Sequence, residues 1–298
     1  MKSKLKIAFT DIDNHVASFF ASHLAQRYEL EVDNKNPNFL IFADRNFGQN
    51  NLNYSRKDVT KIFYTGENQR PEDYDCDYAI SFDHNFNSWH YRLPLFVIYM
   101  WALEHIHKTS YHFNYIFDPV IKPKAEFCSF VVSNPNSAPR NKFYELLSQY
   151  KRVDSGGRHL NNIGGLLQGE AAKIEFLSSR KFNICFESMS HPGYVTEKIL
   201  HAFYAGTIPI YWGSPTVSID FNEQAMIDVN RFKSFDEAIE VIKTVDVNDD
   251  LYNFVVKQSK FKFNIPPSYL AIDNMMNWFD AVINRRIGKR DGHSSIHI

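Results

Sequence analysis

The sequence lacks an excess of charge of either sign, with 33 Lys and Arg against 34 Asp and Glu and a pI near 6.9. Such a chain cannot neutralise a phosphate backbone by bulk charge, which excludes nucleic acid as a natural partner. It also lacks a long apolar run: the longest uncharged one, Leu93 to Leu103, contains Pro94 and falls short of the roughly 20 residues a bilayer span needs. Near the amino terminus Asp11 and Asp13 interrupt the apolar stretch a secretory signal would require. Cysteine is scarce. Cys76, Cys128 and Cys185 are odd in number, and each sits in or beside a strand-like run, as buried reduced thiols do. These absences place the protein in a reducing cytoplasm, with contact at the inner face of a membrane compatible with them. There is no glycine-rich loop of the nucleotide-hydrolase kind, no H-x-x-H or C-x-x-C pair for zinc, and no internal repeat.

What is present is alternation. Strand-like "LKIAFT" (5–10), "FLIFAD" (39–44), "KIFYTG" (61–66) and "YAISFD" (78–83) are interleaved with helical patterns such as 16–28. A second series follows a polar, proline-containing stretch at 117–126: "FCSFVVS" (127–133), a helix near 140–150, "KFNICFE" (181–187), a helix from Tyr194, and "TIPIYW" (207–212). Helical patterns at 235–245 and 268–286 precede a polar end. At 298 residues the chain is about two domains long. The expectation is an α/β protein of two Rossmann-like, doubly wound domains facing a cleft, with residues 1–120 and 121–275 as the domains and 276–298 as a helix end and polar tail.

The stretch "HPGYVTEK" (191–198) follows a strand and opens a helix. At 3.6 residues per turn Val195, Ile199, Ala202 and Phe203 share the core face, while Tyr194, Glu197 and Lys198 gather opposite. Helix N–H groups and a lysine one turn in make an anion site, suited to phosphate. Glu197 then suits ribose hydroxyls and Tyr194 a base or sugar. After "FCSFVVS", the loop "NPNSAP" brings Arg140 to a helix start, where a guanidinium can fork onto phosphate oxygens. The competing reading is that all four are ordinary solvated helix residues. Two D-x-D triplets, Asp11 to Asp13 and Asp75 to Asp77, have the form that holds Mg²⁺ or Mn²⁺, but both lie far along the chain from the cation-bearing loops and are read as structural.

"FYTGEN", "FVVSNPNSAPRNKFYELL" and "KFNICFESMSHPGYVTEKILHAFYAGTIPIYWGSP" together resemble the bacterial α-1,3-fucosyltransferases of glycosyltransferase family ten, in order from about Ile62 to Ile239. The resemblance implies a GT-B fold with the acceptor on the first domain and GDP-fucose on the second. It implies inversion in one displacement, onto the 3-hydroxyl of GlcNAc or Glc in β-galactosyl-N-acetylglucosamine (N-acetyllactosamine-type) acceptors, with no cofactor or essential divalent metal. Carried over, Arg140 and Lys198 hold the diphosphate, and Glu197 and Tyr194 contact the ribose and guanine side, with Gly193 in the turn ahead of them. Ser188 stands where the family usually has asparagine. Glu187 points to the same cleft and toward fucose hydroxyls. Glu67, at the carboxyl edge of the first sheet, matches the family's base, with Asp83 as the fallback. Of the aromatics Tyr64, Phe86, Trp89, Tyr91 and Trp101, some would line an acceptor groove while most pack as core. The alternatives are a sugar- or nucleotide-binding protein without catalysis, and a transferase using another GDP-sugar or linkage.

Overall fold

Strand-forming apolar runs too short to be helices, joined by helices in the second sheet and mostly by loops and short turns in the first, produce two wholly parallel sheets. The computed structural model describes residues 2–84, 87–111, 113–118 and 122–293, with residues 113 and 287–293 described by backbone alone. Phe86 and the last five residues of the polar tail therefore lie outside the described residues. The first sheet contains β1 (Lys4–Thr10), β2 (Glu29–Val32), β3 (Phe39–Phe42), β4 (Thr60–Tyr64), β5 (Tyr78–Ser81) and β6 (His90–Arg92). Their order is β2-β1-β3-β4-β5-β6, and α1 (Asn14–Arg27), N-capped by Asp13, makes the first crossover.

The second half runs through α2 (Leu95–His105), β7 (Glu126–Phe130), α3 (Ala138–Tyr150), β8 (Val153–Ser155), α4 (Gly169–Ser178), β9 (Arg180–Phe186) and α5 (Glu197–Tyr204). It continues through β10 (Ile208–Trp212), α6 (Val217–Asp220), β11 (Ile227–Asp228), α7 (Phe235–Val247) and α8 (Asp249–Val256), and α9 (Ile272–His293) closes the chain. The second sheet has the order β11-β10-β9-β7-β8. Counted from its own first strand this repeats the winding of the other sheet, so each reverses direction between its first and third strands, at β1/β3 and at β7/β9. In doubly wound sheets ligands bind beyond the carboxyl ends of the strands at that reversal.

The chain forms two compact units, residues 1–94 with 267–298, and residues 95–266. These bounds differ from the expected 1–120 and 121–275 because two helices belong elsewhere than their sequence position suggests. Helix α2 packs on α5 of the second unit. Helix α9 returns to the first, where Asp280 accepts from Arg27 (2.6 Å) and from the Tyr28 hydroxyl (2.5 Å).

In the first unit one sheet face buries Ala8, Leu40, Phe42, Phe63 and Ala79 with Val59, while Phe20 of α1 meets Tyr64 and Phe279 edge-on. Tyr64 is thus a core residue. In the second unit Phe130, Phe143, Phe182, Ile184, Phe186, Ile208 and Ile210 form one core with Ala238, Ile239 and Ile242 of α7. Ser234 caps α7, accepting from Glu237 N at 3.2 Å. The three cysteines are free thiols, two of them buried. No helix among the described residues is long and apolar enough to cross a membrane.

Candidate active site

Strands β7 and β9 are hydrogen-bonded neighbours, so the loops that leave their carboxyl ends emerge side by side. The β9 loop carries "ESMSHPGYVTEK" (187–198) and the β7 loop carries "NPNSAPR" (134–140). Both candidate phosphate ligands therefore belong to the β7/β9 reversal.

The β9 loop is pinned before the helix begins. Gly193 takes the left-handed region, at φ +81°, which suits a residue without Cβ, and its N–H donates to Ser214 Oγ (2.8 Å) and Thr216 Oγ1 (2.9 Å). Thr196 is the extended N-cap of α5, but its side chain does not cap. Instead Thr196 N and Oγ1 donate to the two oxygens of Glu187, at 2.8 and 2.7 Å. Lys198 Nζ completes the group, 3.1 Å from Glu187 Oε2, 2.8 Å from Thr196 Oγ1 and 3.6 Å from Glu197 Oε1. Gly213 leaves room for this carboxylate, since a Cβ there would lie 2.5 Å from Glu187 Cγ.

Two expectations change. Tyr194 does not open the helix on its exposed face: it precedes α5, is 2% exposed, and its hydroxyl lies 3.3 Å from Ser188 Oγ. The Pro192–Gly193 turn and the extended Thr196 delay the helix by three residues, which lets the ring turn inward. Glu187 is not presented to a ligand: it is fully buried and both its oxygens are taken by Thr196 and Lys198. Its part is to hold the lysine. Val195, Ile199, Ala202 and Phe203 are buried as the helical spacing predicts.

Arg140 is the third residue of α3 and only 1% exposed. One guanidinium nitrogen, Nη2, donates to Asn134 O at 2.5 Å, whereas Nε is buried without a hydrogen-bond partner, as is the nearby Ser137 hydroxyl. A buried charged donor left unpaired is costly unless something else supplies the acceptor. Burial lowers the guanidinium's proton affinity, and the charges of Glu187 and Glu197 and the Tyr194 hydroxyl oppose this; the group stays cationic.

Burial would also discharge Lys198, but Glu187 and Glu197 hold it above the ordinary lysine range. Burial pushes the Glu187 carboxyl up, against Lys198. Burial would raise Glu197 as well, yet Lys198, Lys173 and His201 draw it below the usual carboxylate range. The second unit thus sets Arg140, Lys198 and Lys173 among three carboxylates, Glu187, Glu197 and Glu170. Sequence reasoning missed Thr196, Lys173, Glu170 and His201. For His201 a signal existed, its spacing of four residues from Glu197 on one helix.

In the first unit Glu67 follows β4 and is exposed. Thr65 Oγ1 accepts from Glu67 N and donates to Glu67 O, both at 3.0 Å, which fixes the loop backbone beneath the carboxylate. Asp83 is differently placed: it pairs with Arg70, accepts from Ser81 Oγ (2.7 Å), and Ser81 Oγ in turn meets His90 Nε2 (2.8 Å). Both D-x-D triplets have internal partners. Asp11 accepts from the backbone and side-chain amides of Asn50 and Asn51, at 2.6 to 3.0 Å. Asp75 pairs with Arg56 and Lys61, and Asp77 with Arg56.

The comparisons with known proteins agree with this arrangement. Residues 7–99 match the α-(1,3)-fucosyltransferase FucT N-terminal domain and residues 121–267 the glycosyltransferase family 10 (fucosyltransferase) C-terminal domain. A crystal structure of an α1,3-fucosyltransferase with GDP-fucose superposes with a TM-score of 0.75 at 31% identity, covering 95% of this chain and 91% of that one. The chain belongs to glycosyltransferase family 10. Its two parallel sheets are of the GT-B type. Among relatives, the α-(1,3)-fucosyltransferase FucT of Helicobacter pylori is 39% identical over 264 residues, 77% of this chain and 53% of that protein. The 4-galactosyl-N-acetylglucosaminide 3-α-L-fucosyltransferase 9 of Mus musculus is 27% identical over 180 residues, 53% of this chain and 49% of that protein. The chain spans about half the length of these relatives.

Proposed function

We propose that the protein is an inverting α-1,3-fucosyltransferase that moves L-fucose from GDP-fucose to the 3-hydroxyl of GlcNAc, or Glc, in N-acetyllactosamine-type glycans. The observation that carries the donor half is the β7/β9 reversal, where a buried arginine with an unpartnered Nε stands on the loop beside one bearing a buried, carboxylate-held lysine. A diphosphate supplies the missing acceptor, and Lys198 supplies a second charge to it. Glu197 and Tyr194 take the ribose and guanine side, with the Tyr194 hydroxyl 3.3 Å from Ser188 Oγ. The relative with GDP-fucose bound supports this donor, and the name of the mouse relative, which specifies a 4-galactosyl-N-acetylglucosaminide, supports the acceptor.

In the reaction the acceptor oxygen attacks the anomeric carbon from the face opposite the diphosphate. Its proton passes to Glu67, the carbon–oxygen bond to the diphosphate breaks, and the departing charge stays with Arg140 and Lys198. Glu67 is taken as the base because it stands in the "FYTGEN" stretch at the end of β4, with Asp83, paired with Arg70 and Ser81, as the fallback. Since the chain's own cations receive the leaving group, transfer persists in EDTA. The test is GDP release from GDP-fucose across β-galactosyl-GlcNAc and β-galactosyl-glucose acceptors, with the linkage of the product read by NMR. Acceptor-dependent release and an α-1,3 product are expected. Release that ignores the acceptor, or binding without release, overturns the proposal.

A further inference from the structure

The loop after β8 reaches the candidate donor site through a chain of hydrogen bonds that the donor reading leaves unused. Strands β7 and β8 are hydrogen-bonded neighbours, and their exits are seamed together. Gly157 lies against Val132, just past β7, where an added Cβ would stand 2.0 Å from Val132 O, and His159 N donates to that same oxygen at 3.0 Å. Ser155 Oγ donates to His159 O at 2.9 Å, and the imidazole meets the Phe130 ring edge-to-face, 6.3 Å between centroids. From this anchored position His159 Nε2 stands 2.9 Å from Oδ1 of Asn141, in the first turn of α3.

Asn141 is the link. Its Nδ2 donates to Pro135 O at 2.8 Å, and a carbonyl can only accept, so the amide turns its own oxygen to the imidazole. His159 therefore donates from Nε2. Pro135 belongs to the loop 134–137, where Asn136 N donates to Asn134 Oδ1 (2.8 Å) and Ser137 N to Pro135 O (2.9 Å), both within the loop. Asn134 O in turn accepts from Arg140 Nη2 at 2.5 Å. A loop carbonyl thus holds the guanidinium, and Asn141 and His159 hold the loop. Because a guanidinium grips phosphate through a rigid planar fork, a loop that drifts would turn the buried Nε away from its acceptor.

We propose that His159 and Asn141 are positioning residues for Arg140, bracing the 134–137 loop so that the guanidinium faces the diphosphate of the sugar nucleotide before it arrives. This role rests on the donor reading above. Such bracing reduces the ordering that binding must impose, so breaking it costs affinity.

The test is calorimetric titration of GDP-fucose, without acceptor, into wild type, His159→Phe, His159→Gln, Asn141→Leu, Arg140→Ala and the Arg140→Ala/His159→Phe double variant. His159→Phe keeps a ring against Phe130 and removes the donor; it binds about five-fold more weakly, the worth of one neutral hydrogen bond. Asn141→Leu loses at least as much. His159→Gln, whose amide can donate in place of Nε2, returns to within about two-fold of wild type. In the Arg140→Ala background His159→Phe costs nothing further, as for residues that act through one another. A merely structural histidine would shift the melting temperature without that dependence on Arg140. If His159→Phe does not fold, Asn141→Leu with and without Arg140→Ala decides. Wild-type affinity in His159→Phe, a His159→Gln variant as weak as His159→Phe, or an equal loss in both backgrounds overturns the role and leaves the donor reading standing. Wild-type affinity in Arg140→Ala overturns the donor reading and this role with it.

Discussion

The two sheets wind in the same order and so make the same crevice twice, yet the crevices are filled in opposite ways. At the β1/β3 reversal Asp11, held in the left-handed region at φ +49°, accepts four hydrogen bonds from Asn50 and Asn51 and ties down the loop after β3. At the β7/β9 reversal Lys198 is paired with Glu187, but Arg140 Nε and the Ser137 hydroxyl are buried without a hydrogen-bond partner. Topology supplies a place for a ligand; satisfied or unsatisfied side chains decide whether it is a site. The first crevice is closed by the chain itself. The second leaves a buried guanidinium nitrogen without an acceptor, which the proposed diphosphate would supply. In the first unit the candidate chemistry has moved to another strand end, where Glu67 is exposed.

The sharpest separation of the two regions is Glu67→Gln. It should cost about 10² to 10⁴ in turnover, the usual worth of a general base, while GDP-fucose binding measured by titration is retained. Lys198→Met should do the reverse and weaken GDP-fucose binding by roughly 100-fold or more. It also strands Glu187, destabilising the second unit by about 3 to 5 kcal/mol in urea unfolding. Asp11→Ala should destabilise the first unit by about 2 to 4 kcal/mol through lost charged hydrogen bonds, with GDP-fucose affinity unchanged. The same affinity loss in Asp11→Ala would erase the contrast between the crevices.

The smallest effect is shared. Despite burial, Asn50 and Asn51 depress Asp11, and His201 and Lys173 bring Glu170 down to about 2. A carboxylate depressed in the folded state stabilises above its unfolded pKa, near 4, and that stability is lost as pH falls toward the folded value. Both units should therefore lose melting temperature between about pH 4.5 and 2, and Glu170→Gln should flatten part of the fall.

The sheets were legible because β-branched runs alternating with helical spacing leave few topologies. The short edge strands β2, β6, β8 and β11 were not, since two to four residues pair through the sheet rather than through a pattern of their own. Helix α2 is apolar on nearly every side, so Leu93 to Leu103 carried no period to read. The homes of α2 and α9 depend on contacts far apart in sequence, which no local pattern encodes. At the site, residue types and strand ends were readable, which is why Arg140, Lys198 and Glu197 fall together. The direction of Tyr194 and the internal use of Glu187 were not, because both follow from where Thr196 stops the loop and starts the helix.

The most direct measurement is titration of GDP-fucose into wild type and Arg140→Ala. If the β7/β9 reversal holds the diphosphate, removing the guanidinium with its unpartnered Nε weakens binding by about 10- to 100-fold, the worth of a charged hydrogen bond. Equal affinity in a folded Arg140→Ala protein would contradict the account.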